Sequence, residues 1–231
     1  MRKVCKNKRI RTDIYMKKRG FTLAEVMIAL ALIGVIASLT IPTFISGSRN
    51  RANAARLATT ISAVENAFAS MIASEAVQDL TETEFGSAQT EANLGKYLKL
   101  SGSGGNLATY YGTNAPFRTL NRASSQPAVT TIFQGKNGAL LMYNASNVNA
   151  TNAHPGSIGR LTIDVNGSAQ PNIWGRDVFY FRIGNDGMLY PAGGQRFTAM
   201  DASGAGFSCS GNVRNQGCTA KLIEDNYEVR F

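Results

Sequence analysis

The run from Phe21 to Ile45, FTLAEVMIALALIGVIASLTIPTFI, limits what this chain can be more than any other feature. Its 25 residues hold a single charge, Glu25. An α-helix rises about 1.5 Å per residue, so about 20 apolar residues cross the hydrocarbon core of a bilayer. The apolar character runs all round the helix, which argues against a soluble core helix with one buried stripe. A secretory signal peptide has an apolar region of about 7–15 residues ending in small residues. The run is too long for that, and no A-x-A site follows it. A plain signal anchor fits the length and the flanks.

Charge supports the same reading. The chain carries 24 Lys+Arg and 15 Asp+Glu, a formal charge of +9. Residues 1–20 hold nine of those bases and one acid, Asp13, so they account for +8. The remaining residues are close to neutral, which argues against a nucleic-acid partner for the body. A basic cluster ahead of an apolar span keeps the N-terminus in the cytoplasm and places everything after about Ile45 across the membrane. The body is not disordered, since 44% of residues are apolar and eight are Tyr. One His, His154, excludes multi-histidine metal sites and speaks against His-based acid–base catalysis.

Glu25 lies five residues into the apolar run. A carboxylate in a membrane helix is expensive, so it needs a partner or must reach the headgroups. The string around it, K-R-G-F-T-L-A-E-V-M-I-A-L-A-L-I-G-V-I-A, resembles the N-terminal signature of type IV pilins and type II secretion pseudopilins. The resemblance implies processing at Lys18-Arg19-Gly20-Phe21. A prepilin peptidase/methyltransferase would cut after Gly20 on the cytoplasmic face and methylate the new terminus at Phe21. It implies that Glu25 serves assembly by meeting the terminal amine of a neighbouring subunit. Such a pair satisfies a charge in a low-dielectric medium, and head-to-tail contacts that do not close give helical filaments. The partners so implied are like or related pilin subunits, an inner-membrane assembly platform and membrane lipid.

Within the span, Pro42 removes a backbone donor and Gly34 is a weak helix former, so both are expected helix breaks, with a mild kink at the membrane exit as the alternative. In the family, assembled filaments often stretch the helix between such positions. Leu57, Ile61, Val64, Phe68 and Met71/Ile72 then recur at helical spacing on an Ala/Asn/Ser/Thr-rich segment. This stripe is expected to pack on the chain's own globular part. Arg49, Arg51 and Arg56 at its start read as solvated charges, with lipid headgroups or acids of neighbouring subunits as the alternative. The helix is placed at about 21–80 with a break near Ser46-Gly47-Ser48.

From about Thr81 the texture turns to Gly, Ser, Asn and Thr. Residues 81–128 read as loop with short elements, Leu94–Leu100 as a helical turn and 101–105 as a flexible turn. Val129–Phe133 and Ala139–Tyr143 around Gly135–Gly138 read as a hairpin. Residues 144–159 read as polar loop. Leu161, Ile163 and Val165 alternate with polar residues. Val178–Ile183 and Met188–Tyr190 form a second hairpin, and Tyr227, Val229 and Phe231 read as a final strand. The expected fold class is α+β and pilin-like, a long N-terminal helix packed on an antiparallel β-sheet. The organisation is a leader at 1–20, a membrane and filament-core helix at 21–45, its amphipathic continuation at 46–80 and a periplasmic or extracellular domain at 81–231.

Two constellations in the domain carry chemical meaning. Asp164, Asn166 and Ser168 surround Gly167, and oxygens at alternate positions of such a turn can cradle Ca²⁺. The EF-hand glutamate is absent. The segment D-V-N-G-x-x-x-P-N-x-W-G-R-D-x-F-x-F resembles a stretch in pilin-like proteins, some of which bind calcium in this region. The competing reading is an Asx turn in which Asp164 and Asn166 bond backbone N–H groups; no other cofactor is expected. The second constellation is Cys209 and Cys218. A short loop on the oxidising side of a membrane suits a disulfide, and the resemblance to pilins with a C-terminal disulfide loop agrees. A metal pair would want shorter spacing and more ligands. Cys5 leaves with the leader.

No nucleophile–base pair or phosphate loop stands out, and Asp177, Asp186 and Asp201 read as solvated or capping acids. The expectation is a structural filament subunit and not an enzyme. It would sit in the bacterial inner membrane with its domain periplasmic, then enter a pilus or pseudopilus. The rival is a single-span membrane-anchored periplasmic binding protein or enzyme.

Overall fold

Local signals set where the first helix begins and ends. The computed structural model describes residues 20–113, 117–145, 157–191, 209 and 216–227. Helix α1 runs from Leu23 to Glu75. It ends because Ala76 adopts a left-handed φ of 53° and Val77 N–H donates back to Ile72 O at 3.3 Å. That is a Schellman-type stop made with alanine where glycine is usual. The helix therefore stops before the expected residue 80.

Other expectations are corrected here as well. The break near Ser46-Gly47-Ser48 is absent, and Gly34 and Pro42 also lie within the continuous helix. A single glycine or proline weakens a helix locally, but the remaining i→i−4 bonds carry it through.

The chain divides into two units, Met1–Ile45 and Ser46–Phe231. In the first, Leu23–Ile41 is long and apolar enough to cross a membrane. Its large apolar side chains, Met27, Ile28, Leu30, Leu32, Ile33 and Ile36 among them, are exposed.

In the second unit the C-terminal half of α1 buries the expected stripe. Leu57, Ile61, Val64, Phe68 and Met71 are buried, and so are Ala54 and Ala67. They pack on the inner face of a six-stranded antiparallel sheet. Its strands are β1 (Leu100–Ser103), β3 (Thr131–Gly135), β4 (Leu140–Asn144), β5 (Ser157–Asp164), β7 (Val178–Gly184) and β8 (Leu189–Pro191), in the order β1-β3-β4-β5-β7-β8. Phe133, Leu141, Tyr143, Leu161, Ile163, Phe179, Phe181 and Ile183 face the helix. Three bonds fix α1 over the sheet: Asn137 Nδ2 donates to Thr60 Oγ1 (3.0 Å), Leu189 N–H donates to Glu65 Oε1 (2.9 Å), and the Ser74 and Tyr97 hydroxyls share a bond. Gly187, at φ 79°, turns β7 into β8 so close to α1 that a Cβ there would lie 3.1 Å from Phe68 Cβ. The architecture is α+β, a long N-terminal helix followed by an antiparallel sheet.

The outer sheet face carries a second apolar cluster of Ile132, Leu140, Met142, Val178 and Tyr180 with Phe117 and Trp174. Phe117 belongs to β2 (Phe117–Arg118), which pairs in parallel with β6 (Asn172–Ile173). Both hairpins stand where the turn residues put them. Several short elements were not legible. A 3₁₀ turn spans Leu80–Glu82, followed by α2 (Glu84–Ser87). The helical turn expected over 94–100 is α3 (Glu91–Gly95), and the flexible turn expected after it is mostly β1, an edge strand fixed by pairing with β3. Helix α4 (Leu107–Tyr111) lies in the segment expected as loop. Strand β5 begins at Ser157, inside the stretch expected as polar loop, because Ser157 and Gly159 pair with Gly184 and Ile183 of β7. Helix α5 (Gln216–Glu224) has no counterpart in the sequence expectations, and of the final strand only Tyr227, in a turn, is described. Val229 and Phe231 lie outside the described residues.

Candidate processing and assembly site

The start of α1 is built from four residues in sequence. Gly20 is exposed and precedes the helix, and a Cβ built on it would meet nothing within 4 Å. The chain's own packing therefore does not require a glycine here. Phe21 is 86% exposed, a bulky aromatic with no burial of its own. Lys18 and Arg19 lie outside the described residues.

Thr22 and Glu25 form a reciprocal capping box. Glu25 N–H donates to Thr22 Oγ1 at 3.2 Å, and Glu25 Oε2 accepts from Thr22 N–H at 2.8 Å and from its hydroxyl at 2.9 Å. Helix N-termini leave N–H groups without intrahelical partners, and a carboxylate there also suits the helix dipole. The T-x-x-E spacing is a sequence signal that composition and hydropathy alone passed over. The carboxylate of Glu25 thus has a local role in the single chain, with its bonds falling on one oxygen. Exposed Val26, Met27 and Leu30 follow it on the helix.

The other two constellations lie in the second unit. Asp164 is fully buried at the end of β5 and accepts from Tyr111 Oη at 2.7 Å and from Asn166 N–H at 3.2 Å. The second bond is the Asx turn that competed with calcium. Asp177, also buried, accepts from Ile173 N–H at 2.5 Å and from Asn166 Nδ2 at 3.2 Å. Asn166 therefore bridges two buried carboxylates. Burial pushes Asp164 well above the ordinary carboxylate range, partly opposed by the Tyr111 bond, and pushes Asp177 up to about 7. Asp177 is a buried capping acid, where a solvated one was equally expected. Ser168 is exposed. Among the described residues no three His, Cys, Asp or Glu side chains converge as a metal site. Tyr111 was missed because it comes from α4, 53 residues before Asp164. Asp186 is exposed and caps the β7–β8 turn by accepting from Met188 N–H at 3.0 Å. Asp201 lies outside the described residues.

Cys209 and Cys218 are joined by a disulfide, with Cα atoms 4.4 Å apart. Cys218 is buried on α5, and on the next residue Thr219 Oγ1 accepts from Tyr180 N–H at 3.2 Å. This bond ties α5 to β7, and the disulfide ties α5 to Cys209.

With this geometry in view, comparison with known proteins adds a class. Residues 15–41 match the prokaryotic N-terminal methylation motif, the segment that contains Gly20, Phe21, Thr22 and Glu25. The chain is also similar to the type II secretion system core protein G of Escherichia coli (strain K12). The two are 43% identical over 51 residues, which is 22% of this chain and 34% of the relative. The chain therefore matches about a third of the length of that relative. No solved structure matches.

Proposed function

We propose that the chain is a structural subunit of a type II secretion pseudopilus or a type IV pilus-like filament, with no enzymatic activity of its own. It is made as a prepilin, cleaved after Gly20 by a prepilin peptidase and N-methylated on Phe21. The observation that carries this reading is the methylation motif at residues 15–41, laid over an exposed apolar helix that begins at a Thr22–Glu25 box. The basic residues 1–20 stay in the cytoplasm, α1 crosses the inner membrane, and the sheet unit lies in the periplasm before assembly. Partners are like or related subunits, the assembly platform and lipid.

In the filament, Glu25 pairs with the Phe21 amine of a neighbouring copy, and α1, continuous through Gly34 and Pro42 in the single chain, stretches between them. Calcium binding at Asp164, Asn166 and Ser168 belongs to the same proposal. A rise in Tm in millimolar calcium supports that part, and an unchanged Tm removes it.

The experiment is to shear filaments from the producing cell and measure the intact mass of this subunit. A mass for a chain that begins at methylated Phe21 and contains one disulfide is expected. A full-length chain in the membrane, with no filament fraction at all, would overturn the reading in favour of an anchored binding protein. Processed chain confined to the periplasmic side supports the secretion pseudopilus, and chain in surface fibres supports the pilus.

A further inference from the structure

Register places four polar side chains in one row across the outer face of the sheet. Asn144 pairs with Arg160, Arg160 with Arg182, and Arg182 with Tyr190. Side chains alternate between faces along a strand. Met142 and Tyr180, two residues along from Asn144 and Arg182, belong to the outer cluster and confirm the face. The two arginines thus stand directly opposite each other on neighbouring strands.

Like charges directly opposite on a sheet repel each other. The usual remedy is a carboxylate between them. Among the described residues the ion pairs are Lys96–Glu84 and Lys221–Asp225, and neither arginine takes part. The acids nearest in sequence are engaged elsewhere. Asp164 holds Tyr111 Oη, and Asp186 accepts from the Tyr190 hydroxyl and from Met188 N–H. Arg160 is held by the Tyr180 ring, its Cζ lying 5.9 Å from the centroid. Its Nε–H is buried without a hydrogen-bond partner. A buried donor on a cation that lacks an acceptor is unfavourable, and it is relieved when an acceptor arrives.

We propose that Arg160 and Arg182 form a receptor for an oxyanion group, a phosphoryl or carboxylate group carried by a ligand. A guanidinium presents its N–H groups as a planar fork that matches such groups bidentately. Two forks on adjacent strands can share one anion, which removes their mutual repulsion and gives the Arg160 Nε–H its acceptor. Both side chains are half-buried, so the site is shielded yet open to solvent. The interior strands β5 and β7 fix both Cα positions, so the site is organised before the anion binds.

The test uses the full chain in non-ionic detergent with ¹⁵N-labelled arginine. Inorganic phosphate and succinate are titrated separately against chloride at constant ionic strength. Saturable movement of the Arg160 and Arg182 Nε–H resonances is expected. Arg182→Gln should weaken the response by about tenfold or more, as loss of a charge-assisted pair implies. Lys136→Gln, in the β3–β4 turn, should leave it unchanged. Saturation by phosphate alone assigns the phosphoryl group, and saturation by succinate alone assigns the carboxylate. No saturable movement with either anion overturns the proposal, as does an unaltered titration in Arg182→Gln. The wild-type titration needs no substitution, so the test stands even if a variant fails to fold.

Discussion

Thr22 and Glu25 hold each other at the first turn of α1, the threonine accepting from the glutamate's N–H and the carboxylate accepting from both donors of the threonine. The acid in the apolar run therefore has two candidate duties, starting the helix and pairing across a filament. The duties are separable, because Gln serves a capping box as Glu does but carries no charge. Glu25→Gln should leave helix content and membrane insertion intact and reduce incorporation into filaments by about tenfold or more. Incorporation is read from the sheared fraction by immunoblot. Normal incorporation of Glu25→Gln would remove the charge-pairing idea and leave Glu25 as a cap.

Gly20 sits in open space, where a methyl group meets nothing. Gly20→Ala should therefore leave the circular dichroism and Tm of the chain unchanged while abolishing removal of residues 1–20. Any need for glycine would then lie in the approach of a peptidase to the backbone. Intact mass of membrane-extracted protein reads the processing, and efficient cleavage of the Ala variant would show that the site tolerates a Cβ.

Phe68 is buried on α1 and packs on Phe85, with ring centroids 5.5 Å apart. Phe68→Ala should cost about 3–5 kcal/mol, the range for emptying a buried aromatic site. Val64→Ala on the same stripe should cost less. Ser62→Ala, on the exposed side of the helix, should change Tm little. Chemical denaturation of the detergent-solubilised chain separates the three. Equal effects would mean that the stripe is not the seam between helix and sheet.

Asp177 and Asp164 both bind protons more tightly in the folded chain than in the unfolded one. A raised carboxylate pKa gives stability that is complete below the unfolded value near 4 and is lost as pH rises through the folded value. For Asp177 that value is about 7, so the window runs from about pH 4 to about 7. The unfolding free energy should fall across it by up to about 1.4 kcal/mol per pH unit for each such proton, and Tm with it. Asp177→Asn should flatten the profile by mimicking the protonated acid. A wild-type Tm that rises over that window would contradict the arrangement.

The Cys209–Cys218 disulfide anchors a helix that its own residues scarcely signal. Cys218→Ser with Cys209→Ser should lower stability by about 2–4 kcal/mol. Loss of protection is expected first in α5, read by hydrogen exchange at Ala220 and Leu222. Uniform loss across the sheet would mean that α5 is not the element the bridge holds.

What was legible came from local rules. The apolar run, the basic residues ahead of it and the isolated Glu25 follow from bilayer thickness and the cost of charge. The stripe from Leu57 to Met71 follows from the helical period, and the two hairpins follow from alternation and from Gly135–Gly138 and Gly184–Gly187. The helix stop at Ala76 was not legible, since an alanine in a left-handed conformation carries no compositional mark. Strand β1 hid behind a Ser/Gly texture, because pairing with β3 and not propensity makes it a strand.

The length of the apolar run and the face on which the later part of α1 carries its apolar stripe are properties of the sequence alone, because both depend on residues a few positions apart. Long-range packing was needed to bring Tyr111 onto Asp164, to set Asp177 beside Asn166, to tie α5 to β7, and to stand Arg160 opposite Arg182. Those relationships join residues from separate elements, and for the arginines strand register sets them. The alternation of Leu161 and Ile163 sets the face on which Arg160 stands, but a slip of two residues between β5 and β7 would keep that face and part Arg160 from Arg182, so their pairing is decided across the strands.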